Sequence, residues 1–179
     1  LAAYGYHLYG QYCLACHGPN AVGRYKQSSS ATGAGPGRAQ RQQGGIGPSL
    51  HGVGALAADF YLRTGYMPLR RVGLQPRRRR VFLSDHQIRA LVAYVASFGG
   101  PPIPAPHPER GSLAEGLRLF TANCAGCHQV AAVGGIVTGG RVPTLARSTP
   151  VQVAEAVRIG PYLMPRFTER RLSDAQLDS

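Results

Sequence analysis

Cys13-Leu14-Ala15-Cys16-His17 and Cys124-Ala125-Gly126-Cys127-His128 are two copies of one pentapeptide, and together they use all four cysteines of the 179-residue chain. The pattern C-x-x-C-H is the covalent attachment site of c-type haem. Two thiols three positions apart on a helical turn can add to the two vinyl groups of one porphyrin. The next residue, His, is then carried under the ring, where an imidazole nitrogen reaches the iron. A zinc site or a redox-active thiol pair also uses C-x-x-C. Neither accounts for a His directly after both second cysteines, so the reading is two covalent haem c groups with His17 and His128 as iron ligands.

The other side of each iron also needs a ligand. The chain has two Met, and both stand before Pro: Tyr66-Met67-Pro68 and Leu163-Met164-Pro165. Each follows one haem pentapeptide, Met67 by 50 residues from His17 and Met164 by 36 from His128. A Met is often a core gap-filler, but two Met in one local context for two haems point to axial thioethers. Met/His ligation raises the iron potential and leaves no open coordination position. A bis-His alternative would need one of His7, His51, His86 and His107 as the distal ligand, and His51 is the least implausible of them.

Working outward, the two pentapeptides sit in a longer repeat. Gly5 and Gly116 each stand eight residues before the first Cys, with Leu8-Tyr9 matching Leu119-Phe120. Pro48-Ser49-Leu50 matches Pro143-Thr144-Leu145, Arg63-Thr64-Gly65 matches Arg158-Ile159-Gly160, and Leu83-Ser84-Asp85 matches Leu172-Ser173-Asp174. The reading is two domains, residues 1–99 and 112–179, joined by a Pro-rich linker over 100–111 within the stretch GGPPIPAPHPERG. Ile88, Leu91, Val92 and Val95 make an i, i+3, i+4, i+7 stripe, with Ser84 or Asp85 as N-cap. Gly5 is expected to let the first helix cross the last closely, with Tyr9 and Tyr94 packed at the crossing. Between the helices run long Gly/Pro-rich loops, and the low-complexity stretch in Gln27–Gly47 is expected to be a mobile loop. Residues 172–179 align with 83–90, where the first copy still has most of its last helix to come. The second domain therefore lacks its C-terminal helix here, and the natural chain is expected to continue.

The composition is 44% hydrophobic and 16% charged, with 24 Gly and 14 Pro. It is too apolar for a disordered chain and too rich in Gly and Pro for a simple helical bundle, so the mainly α chain is expected to carry long loops. No run approaches the roughly 18 apolar residues of a membrane helix. The net charge of +12 is uneven, +10 over residues 1–99 and +2 over 100–179. Arg77–Arg80, with Arg70 and Arg71 nearby, carry much of it. Such a run is a solvated face, a steering field for an acidic redox partner, or a contact for anionic lipid. No nucleic-acid motif accompanies it.

Several stretches extend beyond the pentapeptides. GxxLYxxYC over 5–13 and GLRLFTANC over 116–124 resemble class I cytochrome c domains in tandem. CHGPNAVG, GPSLHGVGA, DFYLRTGYMPL, LVAYVASFGG followed by PPIP, and EAVRIGPYLMPRF resemble, more narrowly, the dihaem cytochrome c subunit of actinobacterial menaquinol:cytochrome c reductase. That resemblance implies further roles. The carbonyls of Pro48 and Pro143 accept a hydrogen bond from His17 and His128. Arg63 and Arg158 neutralise haem propionates, or are solvated at a helix end. The implied partners are a Rieske iron–sulfur protein, cytochrome b and a terminal oxidase. Membrane helices flank the haem domains in that family, and this sequence shows neither.

The leading functional expectation is therefore electron transfer through two haems, from a Rieske centre towards a terminal oxidase. No side chain stands out as acid, base or nucleophile, so the chain alone is not expected to be an enzyme. A soluble or lipid-anchored dihaem carrier is the alternative. A catalytic dihaem protein, such as a peroxidase or thiosulfate dehydrogenase, would need one open iron. Haem c is attached outside the cytoplasmic membrane, which places both domains on the periplasmic or extracellular side of the cell membrane.

Overall fold

A computed structural model describes residues 1–24, 47–69 and 78–179. Most of the Gln27–Gly47 loop, with Arg70, Arg71 and Arg77 of the basic run, lies outside the described residues. The chain divides into two compact units, Leu1–Pro102 and Ile103–Ser179. Both are mainly helical.

In the first unit, helix α1 (Ala2–Tyr12) leads into the single turn α2 (Leu14–His17), followed by a 3-10 turn over Pro19–Ala21. Helices α3 (Gly54–Arg63) and α4 (Asp85–Ala96) complete it, and both α1 and α3 pack on α4. The expected stripe on α4 is the one that is buried: Ile88, Leu91, Val92 and Val95 are all in the core. Its start is fixed by a capping box, in which Gln87 N–H donates to the Ser84 hydroxyl and the Gln87 side chain takes the Ser84 N–H.

The α1/α4 crossing is as close as the sequence expects. A Cβ on Gly5 would lie 2.0 Å from the Ala90 carbonyl oxygen, so only glycine fits. Tyr9 and Tyr94 meet there with ring centroids 5.2 Å apart. Tyr9 is almost wholly buried, and its hydroxyl is satisfied by donating to Gly18 O at 2.6 Å.

The second unit repeats this plan. It comprises α5 (Leu113–Asn123), the turn α6 (Ala125–His128), a hairpin of β1 (Gly135–Val137) and β2 (Gly140–Val142), α7 (Pro150–Ile159) and the short α8 (Asp174–Leu177). The hairpin is antiparallel, with Ile136 opposite Arg141. Capping boxes start α7 at Thr149 and α8 at Ser173, the latter matching Ser84. Gly116 takes the place of Gly5: its Cβ would fall 1.9 Å from Ser179 O. Helix α5 buries no residue completely, and Leu117 is 61% exposed.

The ends of the Pro-rich segment are built into the units. Leu56 N–H donates to Pro101 O in the first, and His107 N–H donates to the Asp178 carboxylate in the second. Among the described residues, no helix is long and apolar enough to cross a membrane.

Candidate haem sites

Each C-x-x-C-H is held as one helical turn hung from the end of a longer helix. Cys13 N–H donates to Tyr9 O and closes α1, while Cys16 N–H and His17 N–H both return to Cys13 O, at 3.1 and 2.8 Å. The second copy is the same bond for bond: Cys124 to Phe120 O, then Cys127 and His128 to Cys124 O at 3.1 and 2.9 Å. All four thiols are free. Burial pushes the Cys13 thiol up to about 12, with Cys16 adding to the effect, and burial likewise raises Cys124.

The loop after each histidine turns back beneath it. Gly23 N–H reaches His17 O, and Gly134 N–H reaches His128 O. Pro48 O then lies 2.7 Å from His17 Nδ1, and Pro143 O lies 3.2 Å from His128 Nδ1. A carbonyl can only accept, so Nδ1 carries the proton in each ring and Nε2 keeps its lone pair for a metal. Burial lowers the His128 pKa, partly offset by the Pro143 bond, which favours the neutral imidazole a metal needs.

The rest of the Pro-Ser/Thr-Leu motif also has a task, one the sequence reading missed. Ser49 Oγ and Leu50 N–H both donate to Ala21 O; Thr144 Oγ1 and Leu145 N–H both donate to Ala132 O. The motif thus clamps the returning loop so that the proline carbonyl meets the ring. The appearance of Ser or Thr in both copies was the available signal.

Met67 is partly buried against the first unit's core, and Met164 is half-buried in the second. Met67 and Pro68 line a cavity of about 450 Å³ whose walls include Leu62, Gly65, Val81 and Leu83. An apolar cavity holding a thioether, imidazoles whose Nδ1 is taken by a proline carbonyl, and pairs of free thiols on one turn fit a covalent haem. His51 is not arranged as a ligand: its Nε2 hydrogen-bonds Asn20 O at 2.8 Å and its ring stacks on Phe98.

The two arginines make contacts within the protein that the sequence did not show. Arg63 Nε donates to both Asp59 carboxylate oxygens at 2.8 and 2.9 Å, and its Nη1 donates to Asp85 at 2.7 Å. Arg158 donates to the carbonyls of Phe167 and Leu172 and pairs with Asp174. Asp85 and Asp174 are the repeat-equivalent first residues of α4 and α8. Arg63 therefore ties the end of α3 to the start of α4, and Arg158 ties the end of α7 to the segment after Met164 and the start of α8.

A duplicated His–Pro carbonyl pair, each with a cysteine turn and a downstream Met on a helical frame, defines a tandem c-type cytochrome. Residues 2–99 match the family model described as Cytochrome c, and residues 111–179 match that described as Cytochrome C oxidase, cbb3-type, subunit III. The chain belongs to the cytochrome c family, whose domains hold covalent haem c. It is similar to the proteins named "Cytochrome bc1 complex cytochrome c subunit" from Mycobacterium leprae (32% identical, 94% of this chain, 55% of the relative) and Mycobacterium tuberculosis strain H37Rv (33%, 94% and 57%). The protein of that name from Corynebacterium efficiens is 33% identical over 97% of this chain and 58% of its own length. The chain thus spans a little over half the length of these relatives.

Proposed function

We propose that this chain is the electron-carrying part of a cytochrome bc1 complex cytochrome c subunit, with two haems in series between a Rieske centre and a terminal oxidase. The observation that carries this reading is the likeness to such subunits along nearly the whole chain, across both haem units. Cys13 and Cys16 tether the first haem, and Cys124 and Cys127 the second. His17 with Met67, and His128 with Met164, would ligate the two irons. Pro48 and Pro143 hold the imidazoles in one orientation and tautomer. A bound iron would supply a one-electron change. With a His and a Met on each iron, these residues would leave no open coordination position, which favours outer-sphere transfer over chemistry at the metal. The domain limits 1–99 and 112–179 belong to the same proposal, as do cytochrome b as a neighbour and a position on the outer side of the cell membrane.

A potentiometric titration with optical detection tests it. Two reversible haems, each with the near-infrared band of a Met–iron(III) bond and neither binding carbon monoxide, are expected. One haem that lacks the band and binds carbon monoxide would move that iron to catalysis.

A further inference from the structure

Beside each cysteine turn the repeat exchanges one pair of residues. The first unit has Gly18 and Arg24 where the second has Gln129 and Gly135. The backbone is the same in both: Arg24 bridges Gly47, just before Pro48, and Gly135 pairs with Val142, just before Pro143. In the second unit the Gln129 side chain covers the spot, and a Cβ on Gly135 would lie 2.8 Å from its Nε2. In the first unit the cover comes from the other member, and a Cβ on Gly18 would lie 3.1 Å from Arg24 Cγ. One place beside the turn therefore takes one long side chain, a neutral amide in one unit and a cation in the other.

The tip of Arg24 is tied to the turn as well. Its Nη1 donates to Ala15 O, a carbonyl between the two cysteines, at 3.3 Å. In a helix that carbonyl would accept from the N–H four residues on, but Pro19 stands there and has none. Val130 holds the matching place in the second unit and keeps its N–H. The Arg24 backbone meanwhile donates to Gly47 O at 3.0 Å, and Gly47 packs against the ligand ring: its Cβ would lie 3.1 Å from His17 Nδ1. The only carboxylates of residues 1–99, Asp59 and Asp85, are both held by Arg63. Arg141 of the second unit's hairpin pairs across from Ile136, so it projects from the face opposite to Gly135.

We infer that Arg24 tunes the first haem: its charge, fixed against the Cys13–His17 turn, raises that haem's reduction potential. This rests on the reading of a haem held by Cys13, Cys16, His17 and Met67. Oxidised haem iron carries one positive charge more than the reduced form, so a neighbouring cation disfavours the oxidised state. Arg24 is exposed, and solvent and salt therefore weaken the effect without changing its sign. The electron enters with no bond made or broken, and the guanidinium keeps its proton throughout. The Gln129 amide contributes no such shift to the second haem, so this contribution makes the first haem the readier electron acceptor.

Potentiometric titration of the dihaem chain tests this with two variants. Arg24→Gln keeps a donor for Ala15 O and removes the charge, whereas Arg24→Lys keeps the charge. In Arg24→Gln one of the two midpoints is expected to fall. At the wild-type midpoint the reduced-to-oxidised ratio of that haem should drop about threefold at low salt, the size of one screened charge, and recover in molar salt. Arg24→Lys should titrate as the wild-type protein does. Met164→Ala under carbon monoxide, which locks the second iron reduced, should show that the midpoint that moves belongs to the first haem. Unmoved midpoints in Arg24→Gln would overturn the assignment, and so would a shift confined to the second haem. Equal losses in the Gln and Lys variants, indifferent to salt, would also overturn it and leave Arg24 a clasp on the turn. Absence of the Met–iron(III) band for the first haem in the wild-type protein would instead defeat the reading of Met67 as a ligand, whatever the Arg24 variants do.

Discussion

Gly5 and Gly10 lie on the same helix and make opposite demands on a methyl group. At Gly5 the added carbon would fall inside van der Waals contact with the backbone of α4, which cannot swing aside. Gly5→Ala is expected to cost on the order of 1–3 kcal/mol as α1 is forced off α4. At Gly10 nothing lies within 4 Å, so Gly10→Ala is expected to stabilise the helix by about 0.5–1 kcal/mol. Denaturant unfolding of the two variants reads both signs, and equal effects would contradict the close crossing. The sequence marked Gly5 through its repeat with Gly116 and through the tyrosines that meet there. Ser49 and Thr144 were matched just as clearly but had no assigned role. A hydroxyl's partner is a backbone carbonyl, and every residue has one, so only the folded chain could select Ala21 and Ala132.

At the scale of elements, the ion pair between Arg63 and Asp85 joins the end of α3 to the start of α4. The hydrogen bond from Arg63 holds the Asp85 carboxyl below its ordinary value of 3.8, with Arg89 contributing further. A depressed carboxyl pKa stabilises the fold above that ordinary value, and the contribution is lost as pH falls through the lower folded value. Thermal melts of the wild-type protein and Asp85→Asn should therefore differ by a constant gap above the ordinary carboxylate range that narrows as pH falls below it. A gap that persists at the acid end would assign the difference to something other than this pair. The helices themselves were legible: the α4 stripe and the Ser84 cap follow from the spacing of a few apolar side chains and one hydroxyl. The clasp was not, although its members, Arg63 with Asp85 and Arg158 with Asp174, recur together in both copies. Each arginine meets its carboxylate across a turn of 16 to 22 residues, and nothing in the local spacing singles that carboxylate out.

On the scale of the whole molecule, the duplication predicts two independent iron sites. Removing one thioether should open one iron and leave the other closed. Met67→Ala and Met164→Ala are each expected to bind one carbon monoxide per chain in the reduced state, the double variant two, and the wild-type protein none. Optical titration counts the sites directly. Two ligands bound in either single variant would mean that the sites are coupled through a shared ligand set. The two units also differ in net charge, +10 over residues 1–99 against +2 over 100–179, so equal ligation need not mean equal partners.

The pentapeptides, the paired Met residues and the matched segments determined the cofactor class, the number of units and the helical frame from sequence alone. Each is a local pattern: the chemistry of a thiol pair, an imidazole and a thioether is written in spacing along the chain. The tertiary structure alone decided which carbonyl holds each imidazole proton and which carboxylates Arg63 and Arg158 serve. The hydrogen bonds from His17, Arg63, His128 and Arg158 join residues 14 to 31 positions apart in the chain, close in space only because the loops return. Charge and polarity can be counted in a sequence, but which opposite charge a guanidinium meets is settled by packing.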